Sequence, residues 1–100
     1  MFTNGMRPVH PGEILREEYL LPLNMSVNAL ATALHLTASR VNEVVREKRG
    51  VTPDTALRLS RYFGTTPEFW LNLQMAYELR IAGAQWDHIV EEIAPLEMAA

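Results

Sequence analysis

The sequence predicts an all-α domain, and three observations lead to this fold class. Apolar residues recur at spacings of three and four, which places them on one face of a helix. Serine or threonine precedes these stretches at the position of a helix N-cap, and proline often occupies the first helical position. A chain of 100 residues fits one domain and is long enough to bury a hydrophobic core.

The first two helices are predicted between residues 11 and 34. Pro11 suits the first turn of the first helix, because the N–H that proline lacks has no partner there in any case. Pro22 stops this helix, since proline cannot continue it. Ser26 is the expected N-cap of the second helix, which runs to Leu34.

Later helices follow the same rules. Thr37 caps a third helix from Ala38 to about Glu47, and Gly50 follows at a position typical of a C-terminal cap. Two Thr-Pro pairs then predict the starts of a fourth and a fifth helix. The expected spans are 53–63 before Gly64, 67–82 closed by Gly83, and a last short helix from Trp86 to Ala94.

Charge is unevenly distributed along the chain, whose net charge is −3. Residues 26–63 carry +3, residues 64–100 carry −5, and residues 1–25 carry −1. The middle segment is therefore suited to face phosphate, while the acidic C-terminal segment faces away or meets a basic partner.

The second and third helices have the pattern of a helix-turn-helix. Ala31 provides the small side chain that two steeply crossing helices need at their contact, and His35-Leu36-Thr37 provides a tight turn. The turn usually carries glycine at a position with positive φ, and here His35 occupies it. Any pair of amphipathic helices shows similar apolar spacing, so the basic residues that follow are needed to favour DNA binding.

The third helix of such a motif enters the major groove with its N-terminal residues, which selects the candidate site. Small or polar side chains there are candidates for reading bases, and the neighbouring polar and basic residues are candidates for phosphate. For Glu43, a solvated helix charge is an equal alternative. The base-reading candidates are Thr37, Ala38, Ser39, Arg40 and Glu43, and the phosphate candidates are Ser26, Asn28, Asn42, Arg46, Lys48 and Arg49.

The motif and its flanks resemble a known family. The segments HPGEIL at residues 10–15 and TPEFWLNLQ at residues 66–74 flank the central motif. Together they look like the HigA-type antitoxins, also grouped with VapI-like proteins, over roughly residues 10–79. The resemblance implies a five-helix, phage-repressor-like core, to which the last short helix predicted above adds a C-terminal helical extension. It also implies a dimer that represses its own operon and binds a small basic ribonuclease toxin of the HigB type.

The fifth helix has two apolar sectors on a helical wheel. A helix on the surface of a monomer needs only one. We expect the sector of Phe69, Trp70, Leu73, Ala76, Tyr77 and Ile81 to face the core. The second sector, Leu71, Met75, Leu79 and Ala82, is the candidate dimer interface. The alternative is that Trp86, Ile89, Val90 and Ile93 fold back and cover it within one chain.

The expected organisation is a flexible segment at residues 1–9, a helix-turn-helix domain at 10–82, and a short helix with a tail at 83–100. The chain has no cysteine, no apolar run of membrane-spanning length and no signal-peptide pattern, so we expect a soluble cytoplasmic protein. The scattered histidines do not form a zinc signature, and no catalytic motif is present. We therefore expect no metal, cofactor, small-molecule substrate or enzymatic activity.

Three functions remain compatible with the sequence. The first is an antitoxin that binds operator DNA and a HigB-type toxin. The second is a stand-alone helix-turn-helix regulator without a toxin. The third is a protein-interaction bundle that keeps the fold but does not bind DNA.

Overall fold

The computed structural model describes residues 7–97 of the chain, and its elements are all helical. Most of the segment predicted at residues 1–9 and the end of the predicted tail lie outside the described residues. The helices are α1 (Pro11–Ile14), which continues as a π-helical segment (Leu15–Leu20), α2 (Val27–Leu34), α3 (Ala38–Val45), α4 (Pro53–Phe63) and α5 (Pro67–Ala82). A 3₁₀ turn (Gly83–Gln85) then leads into α6 (Trp86–Glu92).

Side-chain caps start the helices as the sequence predicts. Ser26, Thr37, Thr52 and Thr66 each adopt an extended backbone conformation, and each accepts a hydrogen bond from the backbone N–H three residues later. His10 has the same role for α1, because its Nδ1 accepts a hydrogen bond of 2.8 Å from the N–H of Gly12.

One hydrophobic core holds α1 to α5 together. Trp70 of α5 is completely buried, and its indole N–H donates a hydrogen bond of 2.8 Å to the hydroxyl of Thr65. Tyr19 lies against this indole, with ring centroids 5.3 Å apart. The other buried apolar residues of the core are Leu15, Leu20, Leu30, Ala31, Leu34, Val41, Val44, Val45, Val51, Ala56 and Leu59.

The ends of three helices differ from the prediction. Helix α3 ends at Val45, and the left-handed residue that follows it is Glu47, with φ 63°, rather than Gly50. The N–H groups of Glu47 and Lys48 bond the carbonyls of Val44 and Glu43, which is a Schellman motif. Gly83 does not close α5 with a left-handed turn, since its φ of −61° is helical and the chain continues into the 3₁₀ turn. Helix α6 ends at Glu92, two residues earlier than expected.

The C-terminal half of α5 and all of α6 extend away from the core. The radius of gyration is 17.3 Å, whereas a compact domain of this length has about 13 Å. Phe69 lies at the edge of the core, since its ring packs edge-on against Trp70 but the residue is 38% exposed. Ala76 and Ile81 are exposed, so the predicted core-facing sector of α5 is wrong at these positions. The cause is that the core ends near Tyr77, whose ring packs edge-on against His10 with centroids 4.8 Å apart.

Helix α6 does not cover the second sector of α5 within one chain. Met75 and Leu79 are 64% and 55% exposed, and Ala82 is exposed as well. The apolar residues of α6 and its end, Trp86, Ile89, Val90 and Ile93, are also exposed. Leu71 differs from the other members of its sector, because it packs against the core.

Candidate nucleic-acid interface

Helices α2 and α3 form the helix-turn-helix that the sequence predicts. His35 follows α2 in the left-handed conformation, with φ 57° and ψ 43°. The N–H of Leu36 bonds the carbonyl of Ala31 at 3.0 Å, and that of His35 bonds the carbonyl of Thr32 at 3.2 Å. This second Schellman motif lets the chain turn without glycine, because histidine tolerates left-handed geometry.

The N-terminal ends of α2 and α3 share an open, shallow surface, here called the reading surface. It is lined by Val27 and Asn28 of α2 and by Ala38, Ser39 and Asn42 of α3. The side chains that line it are small or uncharged, so a base edge can approach the α3 backbone closely. Ala38, Ser39, Asn28 and Asn42 therefore lie together, as expected for adjacent base and phosphate contacts.

Ser26 and Thr37 lie at the N-terminal ends of these two helices. Both oxygens accept cap hydrogen bonds, from the N–H of Ala29 at 3.0 Å and from the N–H of Arg40 at 3.1 Å. Each hydroxyl retains its hydrogen for donation. Both residues are exposed, so each can cap its helix and donate to a phosphate or base at the same time.

Arg40 does not lie on the reading surface. The prediction that it reads a base assumed an outward side chain, but its guanidinium turns towards the start of α4. There Nη2 donates to Asp54 at 3.1 Å and to Thr55 at 2.9 Å, with a longer contact of 3.4 Å to Thr52. Its Nε is buried and has no hydrogen-bond partner among the described residues.

Of the charged residues that follow the reading surface in the sequence, some form an ion pair with each other and others do not. Glu43 accepts a hydrogen bond of 2.8 Å from Nε of Arg49, so these two candidates neutralise each other. Arg46 and Lys48 are exposed, and neither forms an ion pair with any residue of the described chain within 4.0 Å. These two cations thus lie beyond the C-terminal end of α3 and are available for contact with phosphate.

A second arginine, which sequence analysis missed, donates hydrogen bonds to the turn between α2 and α3. Nε of Arg58 in α4 donates to both carboxylate oxygens of Asp54, at 3.2 and 3.1 Å. Its Nη1 donates to the carbonyls of Leu34 and His35, at 2.9 and 3.3 Å. The spacing of four between Asp54 and Arg58 indicates their pairing, but nothing in the sequence indicates the contact with the turn.

The loop between α3 and α4 is fixed by a residue that sequence analysis left without a role. The side-chain oxygen of Gln74 in α5 accepts a hydrogen bond of 2.8 Å from the N–H of Val51. A Cβ at Gly50 would lie within 3.0 Å of the same amide group, so glycine allows this close approach. Gln74 belongs to the TPEFWLNLQ segment, which explains one function of that segment in the fold.

Two further observations concern other classes of site. Across residues 7–97, no group of three or more histidine or acidic side chains is placed to bind a metal ion. None of the described helices is both long and apolar enough to cross a membrane.

Comparison with known proteins agrees with this geometry. A family model described as "Helix-turn-helix" matches residues 15–70. Virulence-associated protein I of Dichelobacter nodosus is 62% identical over 79 residues, which cover 79% of this chain and 73% of that protein. The solved structure named "antitoxin GraA" has a TM-score of 0.88 and 52% identity, covering 92% of this chain and 100% of that chain.

A further solved structure contains DNA. "Pseudomonas aeruginosa antitoxin HigA with higBA promoter" has a TM-score of 0.86 and 50% identity, and covers 91% of this chain and 100% of that chain. The helix-turn-helix, the flanking segments and the length of the similarity all agree. The chain therefore belongs to the helix-turn-helix family of HigA-type antitoxins.

Proposed function

We propose that this chain binds operator DNA, represses its own operon and neutralises a HigB-type ribonuclease toxin. The observation that carries the DNA-binding part is the reading surface, which exposes small and polar side chains at the N-terminal end of α3. The relative solved with its promoter is 50% identical to this chain, which supports the same docking here.

The recognition mechanism places α3 in the major groove with its N-terminal end towards the bases. The methyl group of Ala38 suits contact with a thymine methyl, and the hydroxyl of Ser39 donates or accepts. Asn28 and Asn42 border the same surface and donate to phosphate, as does Ser26, while the hydroxyl of Thr37 donates to a base edge. Arg46 and Lys48 supply charge, which makes binding dependent on salt.

Dimerisation completes the proposed repressor. Met75, Leu79 and Ala82 of α5 are exposed together with the apolar residues of α6, and neighbouring exposed apolar residues of this kind are typical of an interface. A second copy packing against this arm would bury it and place two reading surfaces on one duplex. Two-fold dimers read half-sites about 10 base pairs apart, or a multiple of this.

Toxin binding, a cytoplasmic location and the lack of catalytic activity form the remaining part of the proposal. They are supported by the similarity to HigA and GraA antitoxins, at 50% and 52% identity. The acidic segment after residue 63, with a net charge of −5, suits a basic toxin by charge complementarity.

Two experiments test the two parts separately. Hydroxyl-radical footprinting on the DNA upstream of the coding sequence should show two protected half-sites about 10 base pairs apart, or a multiple. Co-expression with the neighbouring reading frame should relieve its toxicity. A footprint without relief of toxicity would indicate a stand-alone regulator, and relief without a footprint would contradict the DNA-binding part.

A further inference from the structure

We propose that Asp54 positions the reading helix for DNA through two arginines, without contacting DNA itself. This inference rests on the proposed operator binding. Asp54 lies in the first turn of α4, outside the helix-turn-helix, and its carboxylate accepts hydrogen bonds from Arg40 of α3 and Arg58 of α4. Arg58 continues to the turn between α2 and α3.

The first half of this connection fixes the end of α2. The carbonyls of Leu34 and His35 lie at the C-terminal end of α2, which carries partial negative charge. The guanidinium of Arg58 donates to both of them while Asp54 holds it from the other side. The turn is thereby tied to the start of α4.

The second half fixes α3. Arg40 leaves α3 on the side away from the reading surface, and its Nη2 reaches Asp54 and Thr55. Its buried Nε has no partner in the described part of the chain, so the Nη2 contacts alone hold the guanidinium in place. One carboxylate thus connects both helices of the motif to α4, and their relative orientation depends on it.

The network contributes more to placement than to stability. The side chains of Arg40 and Asp54 are 29% and 52% exposed, and ion pairs at this exposure contribute little to folding. Base reading, in contrast, needs side chains held within about 0.5 Å of their productive positions. Loss of the network is therefore expected to affect operator recognition before it affects folding.

Asn is a suitable replacement for Asp54, because it is similar in size but has only one acceptor oxygen. In Asp54, Oδ2 accepts from both arginines and Oδ1 accepts from Arg58. Asn keeps one acceptor for the two guanidinium groups and loses the other, and the contacts that remain are weaker because the acceptor is neutral. The change also removes a negative charge near the DNA-facing surface, which by charge alone would strengthen binding to any DNA. If Asp54→Asn binds the operator more weakly than the wild type, the loss of charge cannot be the reason, because that change alone would strengthen binding.

Glu68 provides a matched control. It occupies the same position after a Thr-Pro pair, in the first turn of α5, so Glu68→Gln removes the same charge from an equivalent helix end. The variant Arg58→Lys is a second test that leaves the net charge unchanged. Its single ammonium group cannot replace the separate contacts that Nε and Nη1 make with Asp54 and with the turn.

The experiment measures the affinity of the full chain for operator DNA and for a scrambled duplex, by fluorescence anisotropy, with thermal melts for each variant. We expect Asp54→Asn and Arg58→Lys to lose on the order of tenfold in operator affinity, as for loss of one good base contact. Binding to the scrambled duplex should not weaken, and Asp54→Glu should recover part of the operator affinity.

Two results would overturn the proposal: an operator affinity of Asp54→Asn equal to that of Glu68→Gln, or an equal loss on both duplexes. If Asp54→Asn is unfolded, Arg58→Lys decides by the same criteria. If the wild-type chain itself does not prefer the operator, the proposed DNA binding fails, which is a separate outcome.

Discussion

Glu43 shows how one side chain on α3 is available for two different roles. Its carboxylate holds Nε of Arg49 at 2.8 Å, although the helix position also suits an acceptor for cytosine. The ion pair is partly exposed, so DNA phosphate competes for the arginine. We therefore expect Glu43 to act on DNA binding through Arg49.

The variant Glu43→Gln tests this role. It removes one negative charge and frees Arg49 for phosphate, so affinity for operator and scrambled DNA should both rise, by about two- to fivefold. Fluorescence anisotropy measures both affinities, and Glu68→Gln controls for net charge. A selective loss of operator binding would show that Glu43 reads a base.

The buried side chain of His10 makes the stability of the fold depend on pH. Burial lowers the pKa of His10 below its usual value, and the charges of Glu47 and Arg16 act in opposite directions on it. The neutral form accepts the cap hydrogen bond from Gly12. The unfolded chain, with a histidine pKa of about 6.5, therefore binds a proton more readily than the folded chain.

Stability should consequently be complete above about pH 6.5 and should fall as the pH is lowered towards and through the folded pKa. Urea unfolding between pH 7.5 and pH 5 measures this slope. The variant His10→Asn keeps a capping oxygen but does not titrate, so its slope should be shallower. Equal slopes would assign the effect to other groups. Glu13, whose pKa is lowered by its hydrogen bond with Arg7, acts only at lower pH.

At the scale of elements, the packing of α1 on α3 depends on one glycine. A Cβ at Gly12 would overlap the carbonyl oxygen of Val44, which is backbone and cannot move aside alone. Gly12→Ala should therefore lower the free energy of unfolding by about 1–3 kcal/mol or more, as for overpacking of a core.

Urea denaturation measures this change, with Gly83→Ala as the comparison. Gly83 has helical dihedral angles, so alanine there should be neutral or stabilising. If Gly12→Ala is as stable as the wild type, the close approach of α1 and α3 is incorrect.

A helix end could be predicted from the sequence when the interactions that fix it involve residues close by in the chain. The starts of α4 and α5 were predictable because Thr-Pro pairs act through hydrogen bonds three residues away. The end of α3 was not, since it depends on Glu47 adopting a left-handed conformation that favours glycine or asparagine. Reliance on Gly50 therefore placed the end too late.

The candidate site shows the same distinction. The reading surface was predictable because Ala38, Ser39 and Asn42 share one face of a regular helix. The orientation of Arg40 was not, because it depends on Asp54 and Thr55, which are 14 and 15 residues away. Gln74 was missed for a similar reason, since its partner Val51 lies in another loop.

At the scale of the whole molecule, the exposed arm of α5 and α6 leads to the dimer prediction. Leu79→Glu places a charge in this apolar surface and should convert the dimer to a monomer, because an unpaired buried charge is costly. Sedimentation velocity measures the change. Leu21→Glu, at an exposed leucine of the loop between the first helical segment and α2, should leave the dimer intact. A Leu79→Glu variant that remains dimeric would place the interface elsewhere.

The proposed function as a whole depends on recognition of a specific operator by the reading surface of α3. The most direct measurement is the affinity of the purified chain for its own upstream DNA and for a scrambled duplex, at two or more salt concentrations. We predict tight binding to the upstream DNA that weakens steeply with salt, with Ser39→Ala reducing the preference over the scrambled duplex. Equal binding to both duplexes at every salt concentration would contradict the proposed function.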